Sequence, residues 1–348
     1  ILLHGGEGAL ADPSYAIGGS VQGPDGTVLD GGHAGMGDVL VAEADESDGS
    51  FGKYRPAIAI VTNAEADHLD HYGDEAHYQR AFVEHMSHAL DHVIVCADDS
   101  SALAVLRALD PADGARAIAY GTSERSALGD LNGAQYVHIV AEQEHAGSGS
   151  EQFTLDIPAA VAGEELVLPV TLAVPGLHNA RNATAAILAA IELGMHAQDA
   201  ARAASTFLGA ARRFQIRGTV GGVTVVDDYA HHPTEIGALL DAARRRYPDA
   251  TIHVLFQPHL FSRTKFFAPQ FAQALAKADD VIVTGVFPAR ERQEDFPGVD
   301  AHTIADAAAE GATPIDVVED MATAAQMVAM RAKPGDVIFT VGAGDITT

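Results

Sequence analysis

The sequence predicts an α/β protein built as two successive domains. Short Val- and Ile-rich runs alternate with Ala-rich amphipathic segments along most of the 348 residues, the pattern of βα units around a mostly parallel sheet. The alternation is interrupted once, from about 118 to 174, by segments that read as antiparallel strands with little helix. The length is enough for about two domains, each with its own core.

In chain order, ILLHGG reads as the last turns of a helix. VLVAEA (39–44), AIAIVTN (57–63) and HVIVCAD (92–98) read as buried strands, with HYQRAFVEHMSHAL (77–90) and SALAVLRAL (101–109) as the helices between them. QYVHIVAEQ, QFTLDIP and ELVLPVTLAVP form the antiparallel stretch. HNARNATAAILAAIELG (178–194) is a helix, followed by a second through about 208. RRFQIRGTVGGVTVVDDYA then supplies two strands joined at Gly221-Gly222, a strong hairpin signal. Helix (234–246), strand (251–257), helix (267–278), strand (280–286), helices (302–310, 321–332) and a last strand (336–345) complete a second α/β domain. The expected domains are 1–210 and 211–348.

A formal charge of −27 excludes an extended nucleic-acid surface, which needs a basic stripe. Small anionic ligands remain possible where a knot of Arg or a bound cation reverses the local field. No apolar run approaches the roughly 20 residues of a membrane span. The single Cys96 excludes a disulfide framework and fits a reducing cytoplasm.

Chemistry-bearing residues gather where strands end, the place where parallel sheets collect ligands. EADESDGS (43–50) and TNAEADHLDHYG (62–73) follow two strands expected to be neighbours, and together suggest a shared site. Carboxylates outnumber imidazoles there, which fits a hard cation such as Mg²⁺, with Mn²⁺ open, bound alongside phosphate. Yet no GxxxxGK[ST] loop is present. In VPGLHNARNATAA (174–186), Asn179 and Asn182 share a helix face and could read a base edge, or Asn179 could simply cap the helix. RRFQIRG and VVDDYAHHPTEI bring Arg212, Arg213, Asp227, Asp228, Tyr229, His231, His232 and Glu235 to a third strand end, with Thr234 as the expected cap. FQPHLFSRTK (256–265) adds His259 and Arg263, and VGAGDITT ends the chain in a Gly-rich turn.

Taken in order, EADESDGSF, TNAEADHLDHYG, PGLHNARNATAA, RRFQIRG, DDYAHHPTEI, QPHLFSRT and GAGDITT closely resemble the Mur ligase family over nearly the whole chain. Ser47 and Tyr229 favour the branch that adds alanine over the branch that attaches a tripeptide. A non-catalytic nucleotide-binding module is the rival of another class. The resemblance implies a central ATPase domain with a mostly parallel sheet and a smaller antiparallel sheet, then a Rossmann-like domain. It implies ATP-dependent joining of L-alanine to the lactyl carboxylate of UDP-N-acetylmuramic acid, through an acyl phosphate, in a bacterial cytoplasm. By the same resemblance Glu43 and His68 would bind Mg²⁺, and His178, Asn179 and Asn182 would meet the adenine. Arg213 and Asp228 would reach the nucleotide, while Tyr229, His231 and Arg263 would line the alanine and sugar-acid side, His231 and Arg263 acting in catalysis. The family's phosphate loop and UDP-binding domain are expected before Ile1, and another helix after Thr348, so the chain reads as an inactive fragment. Leu260 stands where many members carry Arg.

Overall fold

The structure, a computed structural model, describes residues 1–22, 28–141, 150–309 and 312–347. The chain divides into two compact units, the first ending at Leu208 and the second beginning at Gly209.

The first unit opens with a short helix α1 (Leu2–Gly5) and five short strands: β1 (Ser14–Ala16), β2 (Val21–Gln22), β3 (Val28–Leu29), β4 (Gly32–His33) and β5 (Leu40–Ala42). β1 pairs antiparallel with β4 and parallel with β5 in a sheet of three strands, and β2 pairs with β3. The main sheet follows: β6 (Ile58–Val61), α2 (Leu69–Tyr72), α3 (Glu75–Ser87), β7 (His92–Cys96), α4 (Ser100–Ala108), α5 (Pro111–Gly114), β8 (Ala117–Gly121), β9 (Gln135–Ala141), β10 (Glu151–Ile157), α6 (Ala159–Ala162) and β11 (Leu166–Leu172). Two helices, α7 (Leu177–Glu192) and α8 (Ala197–Ala204), finish the unit. The strand order is β11-β10-β9-β8-β7-β6; β6 to β9 run parallel and β9 to β11 antiparallel, in one continuous six-stranded sheet.

Period-two alternation explains why this sheet is covered on both faces. Ile94 and Cys96 of β7 pack toward Ile187, Leu188 and Ala200 of α7 and α8, whereas Val93 and Val95 pack toward Phe82, Met86 and Leu106 of α3 and α4. On one face the covering helices α3 and α4 are capped by short acidic side chains that satisfy otherwise orphaned amides. Asp74 accepts from His77 N at 2.8 Å, and Asp99 from Ala102 N at 2.7 Å.

The second unit contains β12 (Gln215–Val220), β13 (Val223–Asp228), α9 (Pro233–Arg246), β14 (Ile252–Phe256), α10 (Phe261–Phe266), α11 (Ala268–Leu275), β15 (Asp280–Val283), α12 (His302–Ala305), β16 (Ile315–Val317), α13 (Met321–Arg331) and β17 (Val337–Val341). Its order is β12-β13-β17-β14-β15-β16, all parallel except β12, which returns antiparallel to β13. The hairpin turn holds Gly221 at φ 60° and Gly222 at φ 82°, where a side chain would be strained. β12 carries a register shift between Ile216 and Gly218 and lies on the sheet edge. Val254, Phe256, Val337 and Phe339 pack against α9 and α11, while Leu255, Ile282 and Ile338 pack against Ala324 and Val328 of α13.

Several sequence expectations are corrected. VLVAEA does not join the main sheet: β5 pairs with β1, and its Leu40 and Val41 are exposed, because β6 pairs only with β7 among the described strands. The stretch 118–174 is only partly antiparallel, since β8 continues the parallel order into β9. The end of QYVHIVAEQ, at 142–143, lies outside the described residues, as does 310 of the helix expected over 302–310, whose helical part is His302–Ala305. FSRTKF forms a helix, α10, that the polar content of the stretch concealed.

Phe339, wholly buried at the centre of the second sheet, sets a stability test. Phe339→Ala is expected to lower unfolding free energy by about 3–5 kcal/mol. Val220→Ala, on a side chain 77% exposed at the hairpin, is expected to change it by less than about 0.5 kcal/mol. Urea unfolding of the two variants checks both.

Candidate functional site

In the second unit, three loops leave the C-terminal ends of β13, β14 and β17, which are neighbours in the sheet. The first loop is organised by Glu235. Its carboxylate accepts from His231 N at 2.9 Å and His232 N at 3.2 Å, and lies 3.3 Å from the Arg213 guanidinium and 3.4 Å from His231 Nδ1. The His232 ring accepts from Thr234 N at 3.4 Å, so the cap of α9 is His232 and not Thr234. Pro233 then occupies the first helical position, where its missing N–H costs nothing. Burial pushes the Glu235 carboxyl up, but His231, Arg213 and the two backbone amides outweigh it and hold the group below its usual range.

Asp228, at the end of β13, is buried and accepts from Phe214 N at 2.7 Å and Ala230 N at 2.8 Å. Burial raises its carboxyl to about 6, against the opposing pull of those amides and of Arg213. Its neighbour Asp227 is held by Arg212 Nε at 3.3 Å and Thr340 Oγ1 at 3.1 Å. The guanidinium carbons of Arg212 and Arg213 lie 4.9 and 5.8 Å from the Tyr229 ring centroid, within cation–π range. Tyr229 carbonyl receives His231 Nδ1–H at 3.0 Å, which fixes the tautomer that leaves Nε2 as an acceptor. Burial lowers the His231 pKa, the Arg263 and Arg213 charges add to it, and together they outweigh the raising pull of the Glu235 carboxylate and the Tyr229 carbonyl, so the neutral ring is favoured.

The His231 and His259 rings meet edge to face at 5.8 Å, and His259 stacks on Phe287 at 5.7 Å. Arg263, buried on α10, donates to His259 Nδ1 at 3.2 Å. Leu260, also buried, begins that helix at φ 71°, a conformation that costs a non-Gly residue energy. Arg212 and Phe214 also have positive φ. Three of the seven non-glycine residues with positive φ among the described residues, Arg212, Phe214 and Leu260, thus belong to this loop cluster.

In the first unit, His68 occupies a left-handed conformation (φ 51°, ψ 36°) just after β6. Its Nε2 lies 3.5 Å from a Glu46 oxygen and 3.7 Å from an Asp67 oxygen. Tyr72 OH donates to Glu46 O at 2.5 Å, tying the two acidic stretches together. Burial raises the Tyr72 pKa, and the Glu46, Asp48 and Asp45 carboxylates raise it further. Glu43 is exposed and accepts from Gly18 N at 2.7 Å. Helix α7 begins at a Gly176 cap (φ 110°) whose N–H donates to buried Glu151 at 2.7 Å. Asn179 therefore lies inside the helix rather than at its cap, and its Nδ2 donates to Pro175 O at 2.7 Å. His178 is half-buried beside it and Asn182 is exposed one turn on.

The Mur ligase middle domain matches residues 34–190, and the Mur ligase glutamate ligase domain matches 212–344. A UDP-N-acetylmuramate–L-alanine ligase of Bifidobacterium longum (strain NCC 2705) is 69% identical over 354 residues, taking in 100% of this chain and 68% of the relative. The chain belongs to the Mur ligase family. The enzyme of the same name from Renibacterium salmoninarum is 44% identical, over 97% of this chain and 66% of its own length. Among solved structures, the UDP-N-acetylmuramate–alanine ligase of Thermotoga maritima aligns with a TM-score of 0.71 at 27% identity, covering 97% of this chain and 66% of that one. The chain thus spans about two thirds of the length of these relatives.

Within this Mur ligase chain, Arg213, Asp228, Tyr229, His231 and Arg263 lie on one connected loop cluster of the second unit. His178, Asn179 and Asn182 share the first turns of α7. Glu43 and His68 do not converge with a third ligand, because Glu43 turns to the Gly18 amide while His68 faces Glu46 and Asp67. Among the described residues, the one trio with ligand atoms all within 4.8 Å is Asp300, His302 and Glu319, which lies in the other unit and is largely exposed. Around His68 the donor chemistry, carboxylate and imidazole, still suits a hard cation, with Glu46 and Asp67 better placed than Glu43. Glu46 was legible as part of EADESD, but no spacing rule singles it out.

The Asp228 pKa gives a pH test. An unfolded aspartate ionises near 4 while folded Asp228 keeps its proton to about 6. Its contribution is therefore most favourable at low pH and falls by about 3 kcal/mol as pH rises through that window. The difference in urea midpoint between wild type and Asp228→Asn is expected to shift in that direction between pH 4 and 6 and to flatten above it.

Proposed function

We propose that the protein containing this chain joins L-alanine to the lactyl carboxylate of UDP-N-acetylmuramic acid using ATP, starting the peptide stem of bacterial peptidoglycan in the cytoplasm. The observation that carries this reading is the 69% identity to a ligase of that name across the whole of this chain. Residues 1–210 would be the central ATP-binding domain and 211–348 the ligase domain.

A carboxylate is a poor acyl electrophile, so its oxygen first attacks the ATP γ-phosphorus, forming an acyl phosphate and releasing ADP. The alanine nitrogen then attacks the acyl carbon, and phosphate leaves as the amide forms. Mg²⁺, when bound, neutralises charge on the phosphoryl oxygens, with His68 and the carboxylates of Glu46, Asp67 and Glu43 as the group that would hold it. In the first unit, Asn179 and Asn182 offer amide donors and acceptors to the adenine, with His178 beside them.

The second unit supplies cations and a base. Arg213, steadied by Glu235, is a bidentate partner for nucleotide phosphate. Asp228 acts from below by fixing the Phe214 and Ala230 amides, and so the Arg213–Tyr229 loop. Arg263 supports the negative charge that develops on the acyl oxygen. Neutral His231, with Nε2 as an acceptor, takes the proton that the attacking amine releases.

Phosphate release by the full-length protein with ATP and UDP-N-acetylmuramate is expected to depend on L-alanine. It should fall on the order of 10²-fold in His231→Ala and in His68→Ala. Turnover with a tripeptide but not with alanine would overturn the substrate assignment. Full activity of His68→Ala at limiting Mg²⁺ would overturn the metal assignment.

A further inference from the structure

Helix α7 carries one charged side chain near its start that the mechanism above leaves unused. Arg181 lies three residues after His178 and next to Asn182, so the three share a helix face by their i, i+3 and i+4 spacing. Its Nε donates to Asp98 Oδ2 at 2.6 Å. The Asp98 side chain is 6% exposed, whereas that of Arg181 is 33% exposed. Asp98 also accepts from Thr122 N at 2.9 Å and from Thr122 Oγ1 at 3.0 Å. A Cβ on Gly121 would lie 2.5 Å from Asp98 Oδ1, so glycine there makes room for the carboxylate.

Asp98 follows β7 and Thr122 follows β8, so the ion pair sits at the C-terminal ends of two parallel neighbours. The end of β6 is tied to the same place, since Asp99 accepts from Ala64 N at 3.1 Å. Parallel sheets collect ligands at such ends. The stretches after β6 and β7, 62–73 and 97–100, contain no Lys or Arg. Arg181 therefore brings them a cation that their own sequence lacks. An ion pair with one partner this buried adds little to stability, because desolvation offsets much of the attraction. A carboxylate fixed by three donors does, however, hold a guanidinium in one direction. The Nε bond is the one hydrogen bond of the Arg181 guanidinium to any described residue, so Nη1 and Nη2 keep their donors. The result is an oriented, partly exposed fork of N–H groups beside Asn182.

A purine offers ring nitrogens that accept hydrogen bonds and a π face that attracts a guanidinium. With the adenine at Asn179 and Asn182 and the phosphates at His68, the base is the part of ATP within reach of this fork. We propose that Arg181, held by the positioning residue Asp98, contacts the adenine of the bound nucleotide beside Asn182. The assignment rests on the nucleotide-binding reading above and adds to it a cationic contact with the base.

The test uses the full-length protein with Mg²⁺. It compares the Kd for ADP with the inhibition constant of tripolyphosphate, which carries no base, and follows Tm alongside. Arg181→Ala is expected to raise the ADP Kd about tenfold and to leave the tripolyphosphate constant within about threefold. It should also lower Tm, because buried Asp98 loses its cation. Asp98→Asn alone should raise the ADP Kd by a smaller factor, since its amide oxygen still accepts from Arg181. In Arg181→Ala/Asp98→Asn no unpaired carboxylate remains, so Tm should recover while the ADP Kd stays at the Arg181→Ala value. An unchanged ADP Kd in Arg181→Ala, with the wild type binding ADP, overturns this assignment alone. So does an equal loss of tripolyphosphate affinity, which makes Arg181 a phosphate contact. Recovery of the ADP Kd together with Tm in the double variant makes the pair structural and overturns the assignment too. A wild type that binds no ADP overturns the nucleotide-binding reading and this assignment with it.

Discussion

The loop cluster of the second unit hangs from one carboxylate. Glu235 reaches two consecutive backbone amides, an imidazole and a guanidinium. With those four partners it sets the start of α9, the tautomer-fixing turn at His231 and the position of Arg213. Arg213 and Arg212 then bracket Tyr229, and His231 abuts His259. Although its side chain is only partly buried, the donors that converge on it outweigh desolvation and keep it ionised. Asp228 shows the opposite balance a few residues away, where two amides do not compensate for burial. The same chemical group is thus an anion in one place and an acid titrating near neutrality in the other.

The fold was legible where periodicity is unambiguous. Val93 to Cys96 reads as a two-sided buried strand and behaves as one, and so does the run Val337 to Val341. The Gly221-Gly222 turn was legible because positive φ at two successive residues leaves little choice of residue. The fate of VLVAEA was not, since apolar composition cannot say which sheet a short strand joins. Nor was α10, whose polar residues mask a helix that buries Phe261, Arg263 and Thr264.

The site was legible as a set of residues and not as a set of bonds. Strand-end clustering picks out Arg213, Asp228, Tyr229, His231 and Arg263, but not that His232 caps α9 or that Asp228 is occupied by amides. Those depend on side-chain direction within a turn, which sequence spacing does not carry. Glu43 illustrates the point: it lies in the expected acidic stretch, and its carboxylate turns to a glycine amide instead of toward His68.

The edge of the second sheet has a consequence for behaviour at high concentration. An open strand edge invites pairing with another molecule, and a row of parallel strands ending in Val and Ile would be a good template. β12 closes that edge as a return strand running the other way, and the register shift between Ile216 and Gly218 breaks its regular ladder beside the charged Arg217. Such an interruption denies an incoming strand a continuous run of partners. The hairpin therefore guards against strand-to-strand aggregation, independently of any part it plays in ligand binding.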